Sequence, residues 1–484
     1  MMKTFWEKKC AIVVALLIVF QSLSAPYFAL AQTEPAASGT SWKTAPPDLL
    51  NKTETRFPKA AWWEAFQDAP LNQFVQTALK NNPSLQAAKT QIAAAQAIAK
   101  SYRAPLLPTL SFDPQYNYNV YGQNQFIFPI PARGPFQAYQ IPLDATYDVD
   151  LFGKNFARYR SSKKQIDVAR YQYDTAQIEL AGTVATVYFN IAKWRHLEAL
   201  SQDQLEASRK LLSHGQGLLE LGQATLFDIQ NEQQRLDQAQ LNVTQFSANR
   251  QVAENQLLAL LGQSPNTQVL ATVTPWEDLH WPAILPVGVP SELVVHRPDV
   301  AIAEAQLAAA DLDVQAARKA FLPTLMFSGT VGYNAVGLKN LFLGTSFATF
   351  LAATFSQFIL DGGRRRGELE LRKAYYEQLL DNYQNSLINA FTDAENSLAV
   401  LRSDQIVYQD VTRQTESARA KAREDLEKYK AGIQGEPPWL ASEVERLDYE
   451  KVLTQQKIQM LIDVVSVAKA MGGGFQAPSQ VSKQ

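Results

Sequence analysis

The chain has 484 residues, of which 19% are charged, and its formal net charge is −2. That balance leaves no electrostatic footprint for nucleic acid, and a slightly negative mean hydropathy excludes a bundle of membrane helices. The single cysteine, Cys10, excludes a disulfide or a cysteine-held metal as a structural staple.

The first element is the apolar run Ala11 to Phe20, which follows Lys3, Lys8 and Lys9 and leads to Ala29-Leu30-Ala31. A basic start, a short apolar centre and an A-x-A site predict a secretory signal peptide over 1–31, cut before Gln32. An uncleaved anchor helix would need about 20 apolar residues. Cys10 precedes the apolar centre, so it cannot be the lipidated cysteine that follows a lipoprotein signal. Export without lipidation is expected. Residues 32–61 carry Pro35, Pro46, Pro47 and Pro58 with little periodicity and read as an extended, loosely held arm.

The remainder is written twice. "NPSLQAAKTQIAAAQAIAKSYRAPLLPTLSFDP" from Asn82 aligns without a gap on "RPDVAIAEAQLAAADLDVQAARKAFLPTLMFSG" from Arg297, with Pro83 on Pro298 and Pro108-Thr109-Leu110 on Pro323-Thr324-Leu325. Repeat 1 spans 62–263 and repeat 2 spans 297–471. The proline-rich stretch 264–296 connects them, and 472–484 is a polar tail expected to be disordered. No proline interrupts 143–264 or 324–436, as long helices require, since an interior proline costs about 3 kcal/mol. Within the first span Ile229, Leu236, Ala239, Val243, Phe246, Ala253, Leu257 and Leu260 keep the 3-4 spacing of a coiled-coil seam, with Glu232 and Arg250 among them.

After each "LPTL" the period changes to two. Leu110, Phe112, Tyr116, Tyr118 and Val120 alternate with Ser111, Asp113, Gln115, Asn117 and Asn119. Tyr139 to Leu151 alternates in the same way, with Asp144 and Asp148 on the polar side. Repeat 2 supplies Phe321, Leu325, Phe327, Val331 and Tyr333, then a weaker strand from Phe347 to Ile359. Two hairpins follow, over about 106–152 and 321–362. One aromatic face and one acidic or amide face suit membrane β-strands against outer-membrane lipid; a soluble amphipathic hairpin is the other reading. On the first reading Asp113, Gln115, Asn117, Asp144 and Asp148 line a lumen. Four strands cannot close a barrel, and an open sheet edge in lipid leaves backbone groups unsatisfied. Twelve strands from three copies is the simplest closure. The fold class is therefore mixed α+β: four transmembrane strands and long coiled-coil helices per protomer, in two repeats.

These residues also carry a resemblance. "WWEAFQDAPLNQFVQTALKNNPSL" (Trp62 to Leu85), "LPVGVPSELVVHRPDVAIAEAQLAAA" (Leu285 to Ala310), "DVDLFGK" (Asp148 to Lys154) and "LDGGRRR" (Leu360 to Arg366) resemble the TolC-like outer-membrane factor family, in its branch serving RND-type efflux pumps. The resemblance covers about 62–475. It implies a homotrimer with a 12-stranded barrel on a periplasmic helical barrel, in the outer membrane of a Gram-negative bacterium. It also implies a periplasmic adaptor and an inner-membrane RND pump as partners. Many members of the branch are lipoproteins, and this chain lacks the cysteine for that.

By the same resemblance, closure of the periplasmic end is expected at the helix turns around Gly222 with Asp228, and Tyr429 with Ala431-Gly432. Asp228 would accept a hydrogen bond from the Tyr429 hydroxyl; the other reading is that Asp228 only caps a restarting helix. Gln434 stands where the family often has arginine, and Ser442 where an aspartate of the constriction ring is common. An apparent insertion surrounds Pro437-Pro438, and an acidic ring would have to come from Glu436, Glu443 or Glu445.

Nothing points to catalysis or a cofactor. His196, His214, His280 and His296 are scattered without metal spacing, and no phosphate loop or nucleophile elbow occurs. Arg364-Arg365-Arg366 reads either as an anion site or as a solvated cap where strand meets helix. An efflux exit duct for small molecules is the expected function. An exit duct for a secreted protein and a pore-less periplasmic coiled-coil scaffold are the alternatives.

Overall fold

The structure is a computed structural model and describes residues 42, 57–120, 135–265, 273–282, 288 and 292–475. The expected signal peptide, most of the arm, the tip of the first hairpin, parts of the connector and residues from 476 onward lie outside the described residues.

Repeat 1 begins with a 3-10 turn at Trp62–Phe66, then α1 (Ala69–Asn81) and α2 (Pro83–Arg103). Asp68 caps α1 by accepting from Leu71 N, Asn82 caps α2 by accepting from Leu85 N, and a proline opens each first turn. Strands β1 (Thr109–Phe112), β2 (Gln115–Val120) and β3 (Pro135–Val149) follow, then α3 (Lys154–Glu220) and α4 (Leu226–Leu260). Repeat 2 holds α5 (Leu293–His296), α6 (Pro298–Lys319), β4 (Thr324–Ala335), β5 (Phe347–Ser356), α7 (Arg364–Lys430) and α8 (Glu436–Ala470). Helices α3 and α7 have 67 residues each, and α4 and α8 have 35 each. At about 1.5 Å per residue the long pair extends about 100 Å.

The strands form one antiparallel sheet. β1 and β2 both pair with β3, so they are one strand interrupted at Asp113-Pro114, where proline has no N–H to give the ladder; β3 pairs with β4, and β4 with β5. The last strand ends at Ser356, three residues short of the expected Ile359. Register sorts the two faces. Leu110, Ala145, Gly329 and Leu351 lie in one row, and Tyr147 opposes Phe327; the other face carries Ser111, Asp144 and Thr330, and Gln115, Gln140 and Asn334. Phe350 beside Thr330, and Met326 between Asp148 and Thr354, are apolar residues set on the polar side. The apolar face is bare in the protomer, with Leu351 83% and Phe355 63% exposed.

The core lies where the repeats meet at mid-height of the helices. Leu71, Tyr188, Ile191, Leu257, Leu398, Leu401, Leu461 and Val464 are buried there. Two expectations for the ends are corrected. Trp42 is buried and its indole N–H donates to Gly288 O at 3.3 Å, while Phe57 stacks on His296 at 3.9 Å, so the arm's described residues are anchored at these two points. Gly472 to Phe475 is not part of a disordered tail. A Cβ on Gly472 would meet His296 O at 1.8 Å, so only glycine lets the chain come this close. Phe475 is buried and sits edge-on to Tyr171 at 5.6 Å.

Candidate functional site

Two regions carry the expected site residues: the turns joining each long helix to its return helix, and the polar face of the sheet.

In repeat 1, α3 ends at a left-handed Gly222 (φ 69°), and Gln223 N donates back to Leu218 O. Thr225 then caps α4 in a capping box: its hydroxyl accepts from Asp228 N, while Asp228 Oδ2 accepts from Thr225 N at 2.9 Å and from its hydroxyl at 2.7 Å. These bonds hold the Asp228 carboxyl below the usual carboxylate range. Repeat 2 repeats the geometry at Gly432 (φ 70°), with Ile433 N donating to Lys428 O. Gln434 Nε2 donates to Asp425 O at 2.9 Å and so fastens the turn to α7.

Relative to repeat 1, nothing is inserted at Pro437-Pro438. Both turns are equally long, and the two prolines occupy the first turn of α8, where their missing N–H groups are unpaired in any helix. They bring Trp439 flat against Tyr429. Within the protomer no hydrogen bond joins Asp228 to Tyr429 among the described residues. The capping box occupies Asp228 Oδ2, and the Tyr429 ring is turned onto Trp439 of its own hairpin.

The three glutamates offered for an acidic ring are each engaged, Glu436 by a hydrogen bond to a histidine and the other two in ion pairs. Glu436 meets His214 Nε2 at 2.7 Å, Glu443 meets Arg446 at 2.6 Å and Glu445 meets Lys421 at 2.6 Å. Ser442 is buried and donates to Trp439 O at 2.9 Å, so it faces the helix packing rather than an opening. His214 is the residue that sequence reasoning passed over. It joins α3 to α8 across 222 positions of chain, and no spacing rule reaches that far. At the turns themselves Leu221, Leu226, Phe227 and Ile433 are widely exposed.

On the sheet, Gln115 and Asn117 fall on the polar face in register with Gln140 and Ala138, and Asp113 sits in the break between β1 and β2. Asp144 accepts from the Thr330 hydroxyl across β3 and β4. Asp148 accepts from Asn155 Nδ2 at 3.1 Å and ties the strand end to α3. Each strand-to-helix crossing has its own aspartate. Asp150 accepts from Asn155 N and Phe156 N, and Asp361 accepts from Gly363 N and Arg365 N.

The seam expected in α4 is there, and its charged member has a cause. Arg250 bonds Glu198 of α3 at 2.7 Å and Glu254 of its own helix at 3.1 Å, which holds the guanidinium in its charged form.

A sheet apolar on one side and polar on the other, continuous with helices of about 100 Å, is the build of an outer-membrane channel with a periplasmic extension. The chain belongs to the outer membrane efflux protein family, which matches residues 74–263 and 289–473. It is 30% identical over 429 residues to the pyoverdine export outer membrane protein OpmQ of Pseudomonas aeruginosa, covering 87% of this chain and 88% of that protein. Its identity to the OpmQ of Pseudomonas putida is 29% over 427 residues, covering 87% and 90%. The fold matches the Campylobacter jejuni CmeC outer membrane channel with a TM-score of 0.82 at 22% identity, over 92% of this chain and 94% of that one.

Proposed function

We propose that the protein is the outer-membrane exit duct of a tripartite RND-type efflux pump, exporting small molecules as a homotrimer with a periplasmic adaptor and an inner-membrane pump. The observation that carries this reading is the unequal packing of two equivalent repeats. α6 packs between α3 and α7, whereas its counterpart α2 packs on α3 and on no second long helix to a comparable extent. α3 packs against α8, the return helix of the other repeat, whereas among the described residues its counterpart α7 packs on no return helix but its own to a comparable extent. α3 is buried at positions from Asn155 to Leu212, but α7 buries nothing before Ala390 or after Ala422.

The missing neighbours are those a second copy supplies. α2 of one protomer then takes against α7 of the next the place α6 takes against α3, and α4 takes the place of α8. The unpaired edge of β5 meets β1 and β2 of the next copy in the same step, as strands in lipid require. Three copies give twelve strands around the polar face, with Gln115, Asn117, Asp144 and Asp148 toward the lumen. At the far end the same juxtaposition brings Tyr429 beside Asp228 of the neighbouring copy, whose Oδ1 accepts no bond within its own protomer among the described residues. Light scattering on detergent-solubilised protein, followed by recording in planar bilayers, tests the reading. A trimer that conducts supports it; a folded, inserted monomer, or a trimer without conductance, defeats it.

A further inference from the structure

Two members of the Arg364-Arg365-Arg366 run, Arg364 and Arg365, line a cavity. A space of 390 Å³ at the base of the sheet is walled by Lys154 and Arg158 of α3 and by Arg364, Arg365 and Glu368 of α7, with Thr324, Ser356 and Phe358 above. Thr324 and Ser356 oppose one another in register on the polar face, the face of Thr330 and Asp144, so the cavity opens to the side that the proposed function assigns to the lumen.

The charge in it is unbalanced. Glu368 is held by Arg372 at 2.8 Å, and Arg365 is answered by Asp361 at 3.3 Å and lies over the Phe358 ring at 4.6 Å. The side chains of Lys154, Arg158 and Arg364 make no ion pair or hydrogen bond among the described residues. Asp148 and Asp150, the carboxylates at the end of β3, are engaged by Asn155 Nδ2 and by the first backbone N–H groups of α3. Lys319 adds a further cation beside the crossing, donating to Gly153 O at 3.3 Å.

The placement also runs against local stability. Lys154 and Arg364 are the first residues of their helices, and the carboxylates that face these termini, Asp150 and Asp361, are taken up by backbone N–H groups there. Cations there oppose the helix dipole. Cations gathered at a cavity, with the nearby carboxylates already engaged, are what an anion-binding site looks like.

We infer that Lys154, Arg158 and Arg364 form a cationic collar inside the duct, where helical barrel meets sheet, which binds anionic solutes bearing carboxylate, phosphate or sulfate groups. In a trimer the collar is a ring of three such cavities. The guanidinium fork of Arg364 suits a planar or tetrahedral oxyanion, and the hydroxyls of Thr324 and Ser356 supply neutral donors beside it. The inference deepens the proposed function and rests on it for the direction the cavity faces.

Inorganic tripolyphosphate is the probe. Calorimetric titration of the purified full-length protein should show binding that weakens at least tenfold in the triple variant Lys154→Gln, Arg158→Gln, Arg364→Gln. In bilayers the same anion, added from the barrel side, should reduce wild-type current, and the variant should need at least ten times the concentration. Circular dichroism and light scattering check that the variant folds and assembles; if it does not, Arg364→Gln alone is compared by the same two measurements. No binding to the wild type, or equal binding to wild type and folded variant, overturns the collar. Binding with no wild-type conductance overturns the duct and leaves the anion site standing.

Discussion

Tyr429 lies flat against Trp439, with ring centroids 5.5 Å apart and planes 6° from parallel. The stack joins the last turn of α7 to the first turn of α8. In the proposed trimer the Tyr429 hydroxyl meets Asp228 Oδ1 of the neighbouring copy. A hydrogen bond to a charged group contributes about 1.5–3 kcal/mol, and three copies could hold the periplasmic mouth closed. Tyr429→Phe combined with Asp228→Ala is expected to raise single-channel open time or conductance with the trimer intact. Parent-like recordings would mean that Asp228 serves only its capping box.

A second expectation concerns pH. Asp463 is buried on α8; Gln459 donates to its Oδ1 at 2.9 Å, and its Oδ2 has no partner among the described residues. Burial, with the Asp404 carboxyl beside it, pushes Asp463 up from 3.8 to about 7. The folded protein thus binds this proton more tightly than the unfolded chain does. The stabilisation is complete below 3.8 and is lost as pH rises through about 7. The melting-temperature difference between parent and Asp463→Asn should therefore shift against the parent across that window and level off above it. A flat difference would remove Asp463 from the pH response.

Tyr188 offers a stability test in the core. Its hydroxyl donates to the Asp68 carboxylate at 2.9 Å and accepts from Thr274 N at 3.0 Å, pinning the start of α1 and the connector to α3. Tyr188→Phe keeps the ring, leaves Thr274 N without its acceptor and takes one donor from Asp68, which still caps α1, and this should cost about 1–3 kcal/mol. Thermal unfolding reads this directly, and an unchanged melting temperature would show that water replaces the hydroxyl.

How much of this was written in the sequence follows from the range of each signal. The faces of the sheet were legible because side chains alternate with period two, and the long helices because proline was missing from two spans. A capping role for Asp228 was legible as a short acidic side chain where a helix restarts, but the cap itself is Thr225, with Asp228 as its capping-box partner. The partners of Tyr429 and Glu436 were not. Trp439 lies in the same hairpin but beyond a turn, and His214 reaches Glu436 only because α3 and α8 run side by side. The packing of Trp42, Phe57 and Phe475 was hidden for a related reason: each is a single apolar residue in a polar, aperiodic segment.

Processing gives a further check. With Cys10 ahead of the apolar run and Ala29-Leu30-Ala31 after it, the mature protein is expected to begin at Gln32 without a lipid. Intact-mass measurement of protein from outer membranes decides it, and an acylated mass would refute the assignment.

The equal lengths of α3 and α7, and of α4 and α8, constrain how such a duct can change. One residue added to a single helix moves everything beyond it by about 1.5 Å and turns it by about 100°. The altered hairpin would then end off the level of its counterpart and offer the wrong side chains to both neighbours. Seven added residues nearly restore the facing but leave that hairpin about 10 Å too long. Reach across the periplasm can therefore be altered only by matched heptads in all four helices together, while the properties of the mouth stay open to single substitutions.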